Sequence, residues 1–123
     1  MEFLLCKKCG ELFVRANDVC DCTPECCGEE LTKLEANTTD AAQEKHVPVI
    51  TRDGNKIDVV VGSTEHPMEE DHWITCIIAV QGNKYQVQKL NPGDAPKASF
   101  QIEDGAVEVY EFCNKHGLWK AEA

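Results

Sequence analysis

Beyond residue 46 the chain alternates short runs rich in Val and Ile with clusters of Gly, Asn, Asp and Pro, the pattern of β-strands closed by tight turns. Residues 47–51 and 56–62 flank Arg52-Asp53-Gly54-Asn55, which predicts a hairpin. Residues 73–80 and 84–90 flank Gln81-Gly82-Asn83 and predict a second. The segment 91–96 reads as a loop before a strand at 97–102, and a last strand is expected over about 106–112. No stretch sustains a helical period, so an antiparallel sandwich or barrel of about seven short strands is expected. Alternation after His72 puts Ile74, Cys76 and Ile78 on one apolar face with that histidine, and makes Cys76 a buried small hydrophobe.

The first 36 residues follow a different pattern. They hold six of the eight cysteines (Cys6, Cys9, Cys20, Cys22, Cys26 and Cys27) but few apolar side chains, so a staple must replace a core there. The polar stretch 35–43 reads as a linker, which predicts a small domain at 1–36 and a larger one at 37–123. The start, Met1-Glu2-Phe3-Leu4-Leu5-Cys6, has no basic region and no apolar run of the length a signal peptide or membrane span needs. A cytoplasmic, reducing setting is therefore expected, in which clustered cysteines are metal ligands rather than disulfides. Twelve Lys plus Arg against 22 Asp plus Glu give a net charge of −10, which argues against a nucleic-acid partner.

Candidate chemistry lies in the histidines. All four follow residue 45, each in a short ligand-like motif: Glu44-Lys45-His46-Val47-Pro48, His66-Pro67-Met68, Asp71-His72-Trp73-Ile74 and Cys113-Asn114-Lys115-His116-Gly117. A single histidine is most often an ordinary core or surface residue. A Cys-x-x-His pair with three more histidines in compact motifs instead argues for a mixed His/Cys metal centre. Neutral imidazoles remove none of the charge of a divalent ion and one thiolate removes a unit, so the centre would attract a small anion. Five protein ligands suit a metal that prefers six positions with one left open, which favours iron, whereas structural zinc favours a closed tetrahedron.

The motifs Glu-Lys-His-Val-Pro, His-Pro-Met-x-x-x-His-Trp-Ile and Cys-Asn-x-His-Gly resemble those of the superoxide reductases of anaerobes. With the cysteine-rich start, the whole chain is similar to the desulfoferrodoxins, the two-iron form. The resemblance implies an immunoglobulin-like sandwich holding ferrous iron, with His46, His66, His72 and His116 equatorial and Cys113 axial, and a sixth position open to superoxide. It implies reduction of superoxide to hydrogen peroxide, with electrons from rubredoxin or a similar small donor. Lys45 is then suited to guide the anion and to hold a proton-delivering water, and Glu44 to close the open position once iron is ferric. Cys6-x-x-Cys9 with Cys26-Cys27 is similar to the desulforedoxin motif, four thiolates around one iron or zinc. Cys20 and Cys22 remain as substitute ligands or free thiols, and by analogy with desulforedoxin a homodimer is expected. Two other readings stand beside the enzyme: a two-iron electron carrier, which has no use for an open position beside Lys45, and a structural metal module.

Overall fold

Five short strands make up the first of two units into which the chain divides, Met1–Glu35 and Ala36–Ala123; the computed structural model describes all 123 residues. These strands are β1 (Phe3–Leu5), β2 (Leu12–Val14), β3 (Glu25–Cys26), β4 (Glu29–Glu30) and β5 (Thr32–Leu34). An antiparallel sheet of order β2-β1-β5 lies beside the β3-β4 hairpin. The hairpin turns through Cys27 and Gly28, whose φ angles of 55° and 78° are the left-handed pair that a two-residue turn of this hand requires. Leu4, Cys6 and Leu31 are its buried apolar cluster, with Cys26 against them. With Phe3, these are four buried apolar side chains, too few to offset the ordering of 35 residues, so a cross-link or metal has to contribute.

In the second unit a single helical turn, α1 (Gln43–His46), precedes seven strands: β6 (Pro48–Asp53), β7 (Lys56–Val61), β8 (Ile74–Gln81), β9 (Lys84–Lys89), β10 (Lys97–Gln101), β11 (Glu108–Cys113) and β12 (Gly117–Glu122). They form two antiparallel sheets, β10-β7-β6 and β12-β11-β8-β9, the immunoglobulin-like sandwich expected. Strand β7 shows why: Ile57, Val59 and Val61 are buried while the residues between them are exposed. Their inward row meets Ile74, Ile77, Ala79, Val107, Val109 and Cys113 in one core. Each fully buried aliphatic side chain there contributes about 1.5–3 kcal/mol.

Three expectations change. Gln43–His46 is a helical turn where no helix was expected, and the turn is held by the amide N–H of Val47 on the carbonyl of Gln43, 2.9 Å. A further strand, β12, follows the segment expected to be last and pairs along all of β11; its sequence Gly-Leu-Trp-Lys-Ala-Glu carries no clean alternation. The register of β8 against β11 shifts, Phe112 opposing Cys76 while Cys113 opposes Ile74. Such a bulge reverses side-chain parity. Ile74, Ile77 and Ala79 therefore line the core, whereas Cys76 is only partly buried on the other face of β8; the expected row of Ile74, Cys76 and Ile78 does not form.

Candidate metal centre

Four segments deliver the histidines, and each is fixed by backbone and side-chain hydrogen bonds. His46 ends α1, whose Glu44 carbonyl accepts from the Thr64 amide at 2.9 Å and the Ser63 hydroxyl at 3.2 Å. The turn over Ser63 and Thr64 in turn carries His66, whose amide bonds the Val61 carbonyl at 3.1 Å. A reciprocal pair of backbone bonds between Glu69 and His72, 2.9 and 3.1 Å, closes the loop that presents His72. Asn114 ties that loop to the Cys113–His116 turn: its side-chain oxygen accepts from the Trp73 amide at 2.9 Å and its side-chain nitrogen donates to the Asp71 carbonyl at 3.0 Å.

The result is a cluster of His46, His66, His72, Cys113 and His116 with one donor atom from each, all within 4.8 Å of one another. His46 Nε2 lies 3.2 Å from His66 Nε2 and 3.1 Å from His116 Nδ1. Cys113 Sγ lies 3.4 Å from His66 Nε2 and 3.9 Å from His116 Nδ1. Donors about 2.1 Å from one ion sit about 3 Å apart when adjacent and about 4.2 Å when opposite, so these spacings fit a single first-row metal ion.

Proton placement makes the same point independently. His46 Nδ1 faces the Ala42 carbonyl at 2.7 Å and His66 Nδ1 faces the Pro67 carbonyl at 2.6 Å. A carbonyl only accepts, so both Nδ1 atoms carry the proton. The two Nε2 atoms then turn lone pairs toward each other at 3.2 Å, an arrangement that a cation bound by both as adjacent ligands satisfies. His72 Nε2 is buried with no hydrogen-bond partner, which is likewise expected of an atom aimed at a metal.

Burial, reinforced by the neighbouring imidazoles, lowers the pKa of His66 to about 4 and also lowers those of His46 and His72. All three are neutral ligands at pH 7. Burial raises the pKa of the Cys113 thiol, so a cation is what turns it into a thiolate. Trp119 stacks on His46, centroids 5.1 Å apart, and donates from Nε1 to the His116 carbonyl at 3.0 Å. Glu44 and Lys45 sit on exposed positions of α1, and the charge of Lys45 contributes to lowering His46.

Some of this support was not expected. Glu111 is wholly buried in the row of Val109 and Cys113 with neither carboxylate oxygen bonded, and burial holds its carboxyl protonated well above the usual range. The alternation of Val109, Glu111 and Cys113 in β11 contains the signal. Gly62 packs against the α1 backbone and gave no signal in the sequence.

In the first unit Cys6, Cys9, Cys26 and Cys27 form a second cluster. Cys9 Sγ lies 3.8 Å and Cys27 Sγ 3.7 Å from Cys26 Sγ, the edge length of about 3.8 Å that four sulfurs about 2.3 Å from a tetrahedral ion have. The backbone N–H of Cys9 is the main influence drawing the Cys6 thiol down to about 7, which favours the ligating thiolate. Cys20 and Cys22 are outside this cluster and are joined to each other in a disulfide. The expectation that they serve as spare ligands or free thiols is corrected, as is that of an N-terminal segment without disulfides.

The Desulfoferrodoxin family profile matches residues 38–122. A desulfoferrodoxin of Clostridium acetobutylicum is 53% identical over 98 residues, 79% of this chain and 77% of that protein. Among solved structures, the superoxide reductase from Treponema pallidum superposes with a TM-score of 0.78 at 32% identity, covering 98% of this chain and 99% of that one. A superoxide reductase (1Fe-SOR) from Giardia intestinalis covers 65% of this chain and 97% of its own, with a TM-score of 0.58 at 33% identity. The chain carries a donor set of four imidazoles and one thiol and a separate set of four thiols, and it belongs to the desulfoferrodoxin family.

Proposed function

We propose that this protein is a superoxide reductase whose catalytic iron is held by His46, His66, His72, His116 and Cys113. The observation that carries the reading is the gathering of four imidazole nitrogens and one thiol within 4.8 Å of one another, with the Nδ1 atoms of His46 and His66 turned to carbonyls and their Nε2 atoms facing each other. Ferrous iron at that point supplies the single electron that, with two protons, converts superoxide to hydrogen peroxide.

The chain's own residues do the rest. The neutral imidazoles leave the ion's charge largely intact, and the Cys113 thiolate removes one unit. The centre is thus cationic in a protein of net charge −10 and draws in a small anion. Lys45, next to His46 on α1 and exposed, adds a positive charge at the approach and holds a water that delivers a proton. Glu44, its neighbour on α1 and also exposed, closes the open position when the centre is oxidised. Carbonyls of Ala42 and Pro67 fix the rings of His46 and His66, as outer partners of metal-bound histidines do.

Cys6, Cys9, Cys26 and Cys27 hold a second iron, or zinc, that staples the first unit. A small redox protein such as rubredoxin returns the electron, and the protein acts in the cytoplasm as a homodimer. No helix is long and apolar enough to cross a membrane. The test is pulse-generated superoxide mixed with the ferrous protein, counting products. One peroxide formed per superoxide, without dioxygen, supports reduction. Dioxygen release would indicate dismutation, and no acceleration over buffer would leave only an electron carrier.

A further inference from the structure

The Cys20–Cys22 disulfide belongs to neither metal cluster, and both residues are exposed. Three features set it apart from a structural cross-link. The bond closes a ring over a single intervening residue, so it ties no distant parts of the chain together. It removes little loop entropy compared with a bridge across a long loop. The carbonyls of both cysteines are gripped by one cation: the Arg15 guanidinium donates to the Cys20 carbonyl at 3.2 Å and to the Cys22 carbonyl. Arg15 is itself anchored, with Nε 3.5 Å from a carboxylate oxygen of Glu2 and both side chains largely covered. Lastly, the backbone N–H of Cys22 points at Cys20 Sγ, 3.1 Å away.

The geometry points to Cys20–Cys22 as a reversible dithiol–disulfide site that consumes hydrogen peroxide, with Cys20 as the nucleophile and Cys22 as the resolving thiol. An N–H donor at sulfur and a cation on the backbone of the two cysteines both favour a thiolate, and only Cys20 has the donor. In reducing compartments, disulfides are typically of this catalytic or sensing kind. The Cys20 thiolate attacks one peroxide oxygen and the O–O bond breaks. Cys20 becomes a sulfenic acid, and the departing hydroxide takes up a proton as water. The Cys22 sulfur then attacks Cys20 sulfur; the S–O bond breaks and a second water leaves with the proton of Cys22. Two thiols are oxidised to one disulfide and one peroxide is reduced to two waters. An external dithiol restores the pair by exchange. The source of peroxide rests on the proposed superoxide reduction; the thiol chemistry does not.

The experiment opens the disulfide in the full-length metal-loaded protein with a phosphine reductant, removes the reductant without air, adds equimolar hydrogen peroxide and labels free thiols with a maleimide for peptide mass mapping. Cys20 and Cys22 should both take label when reduced and both lose it after peroxide, with a Cys20–Cys22 link recovered. Cys22→Ser should stop at a sulfenic acid on Cys20, trapped by dimedone, whereas Cys22 in Cys20→Ser should oxidise about tenfold or more slowly. A bond that the phosphine does not open, labels that survive peroxide, or equal sulfenic acid in both variants would each overturn the assignment. Both variants should consume superoxide at the parent's rate. A parent that fails to consume superoxide would sink the proposed function and leave the thiol result standing.

Discussion

Replacing Gly62 by Ala tests whether the α1 turn sets the metal centre. A Cβ at this position would lie 2.6 Å from the Glu44 carbonyl oxygen and 2.8 Å from the Lys45 carbonyl carbon. Ordinary contact begins at 3.4 Å, so the first distance is 0.8 Å short. Both obstructing atoms are backbone, and no side chain can swing aside. Either α1 or the turn after β7 must move, and these are the two segments that carry His46 and His66. Their Nε2 atoms face each other at 3.2 Å, and metal–ligand distances tolerate only about 0.2 Å. Overpacking of this kind costs about 1–3 kcal/mol, a fall in melting temperature of roughly 4–20 °C in a domain of this size. Displacing the α1 backbone that carries His46 should weaken iron binding about ten- to a hundredfold. Chelator competition followed by calorimetry on the same samples reads both. Parent-like affinity and melting temperature in Gly62→Ala would refute the claim that this contact positions the centre.

Lys45→Ala should lower the second-order rate with superoxide about ten- to a hundredfold and flatten its dependence on ionic strength; an unchanged rate and salt slope in stopped-flow or pulse experiments would make this lysine a bystander. Cys9→Ser should lose the N-terminal metal yet still reduce superoxide, and joint loss of both metals would show coupled folding of the two clusters. Burial raises the Cys76 thiol to about 11, above its unfolded value, so the folded protein holds the neutral thiol through pH 8. Alkylation of Cys76 there should run roughly two hundredfold slower than in the unfolded chain and quicken about tenfold per pH unit. Equal rates in both states by peptide mapping would contradict the burial argument.

The ligand-like motifs were legible because metal chemistry needs particular side chains at short spacings, and five of them fall into one cluster. The two hairpins were legible for a similar reason: Asp53-Gly54-Asn55 and Gln81-Gly82-Asn83 are local turn signals between alternating strands. What escaped depends on partners far along the chain. The bulge that turns Cys76 away from the core appears only when β8 is laid against β11. Strand β12 has weak alternation and is specified by pairing with β11. The bare lone pairs of His46 and His66 follow from carbonyls whose positions no spacing rule gives. Cys20 and Cys22 could not be sorted from the ligating cysteines by count, since their exclusion depends on how the 16–24 loop runs.

The most direct test of the central claim is the visible spectrum of the oxidised protein, recorded with its metal content in a Cys9→Ser background that removes the N-terminal thiolate site. One iron per chain and a sulfur-to-iron charge-transfer band that appears on oxidation, and is lost in Cys113→Ser, are the predicted result. Zinc in the centre of a protein with native activity, or a band that survives Cys113→Ser, would contradict an iron held by four histidines and that cysteine.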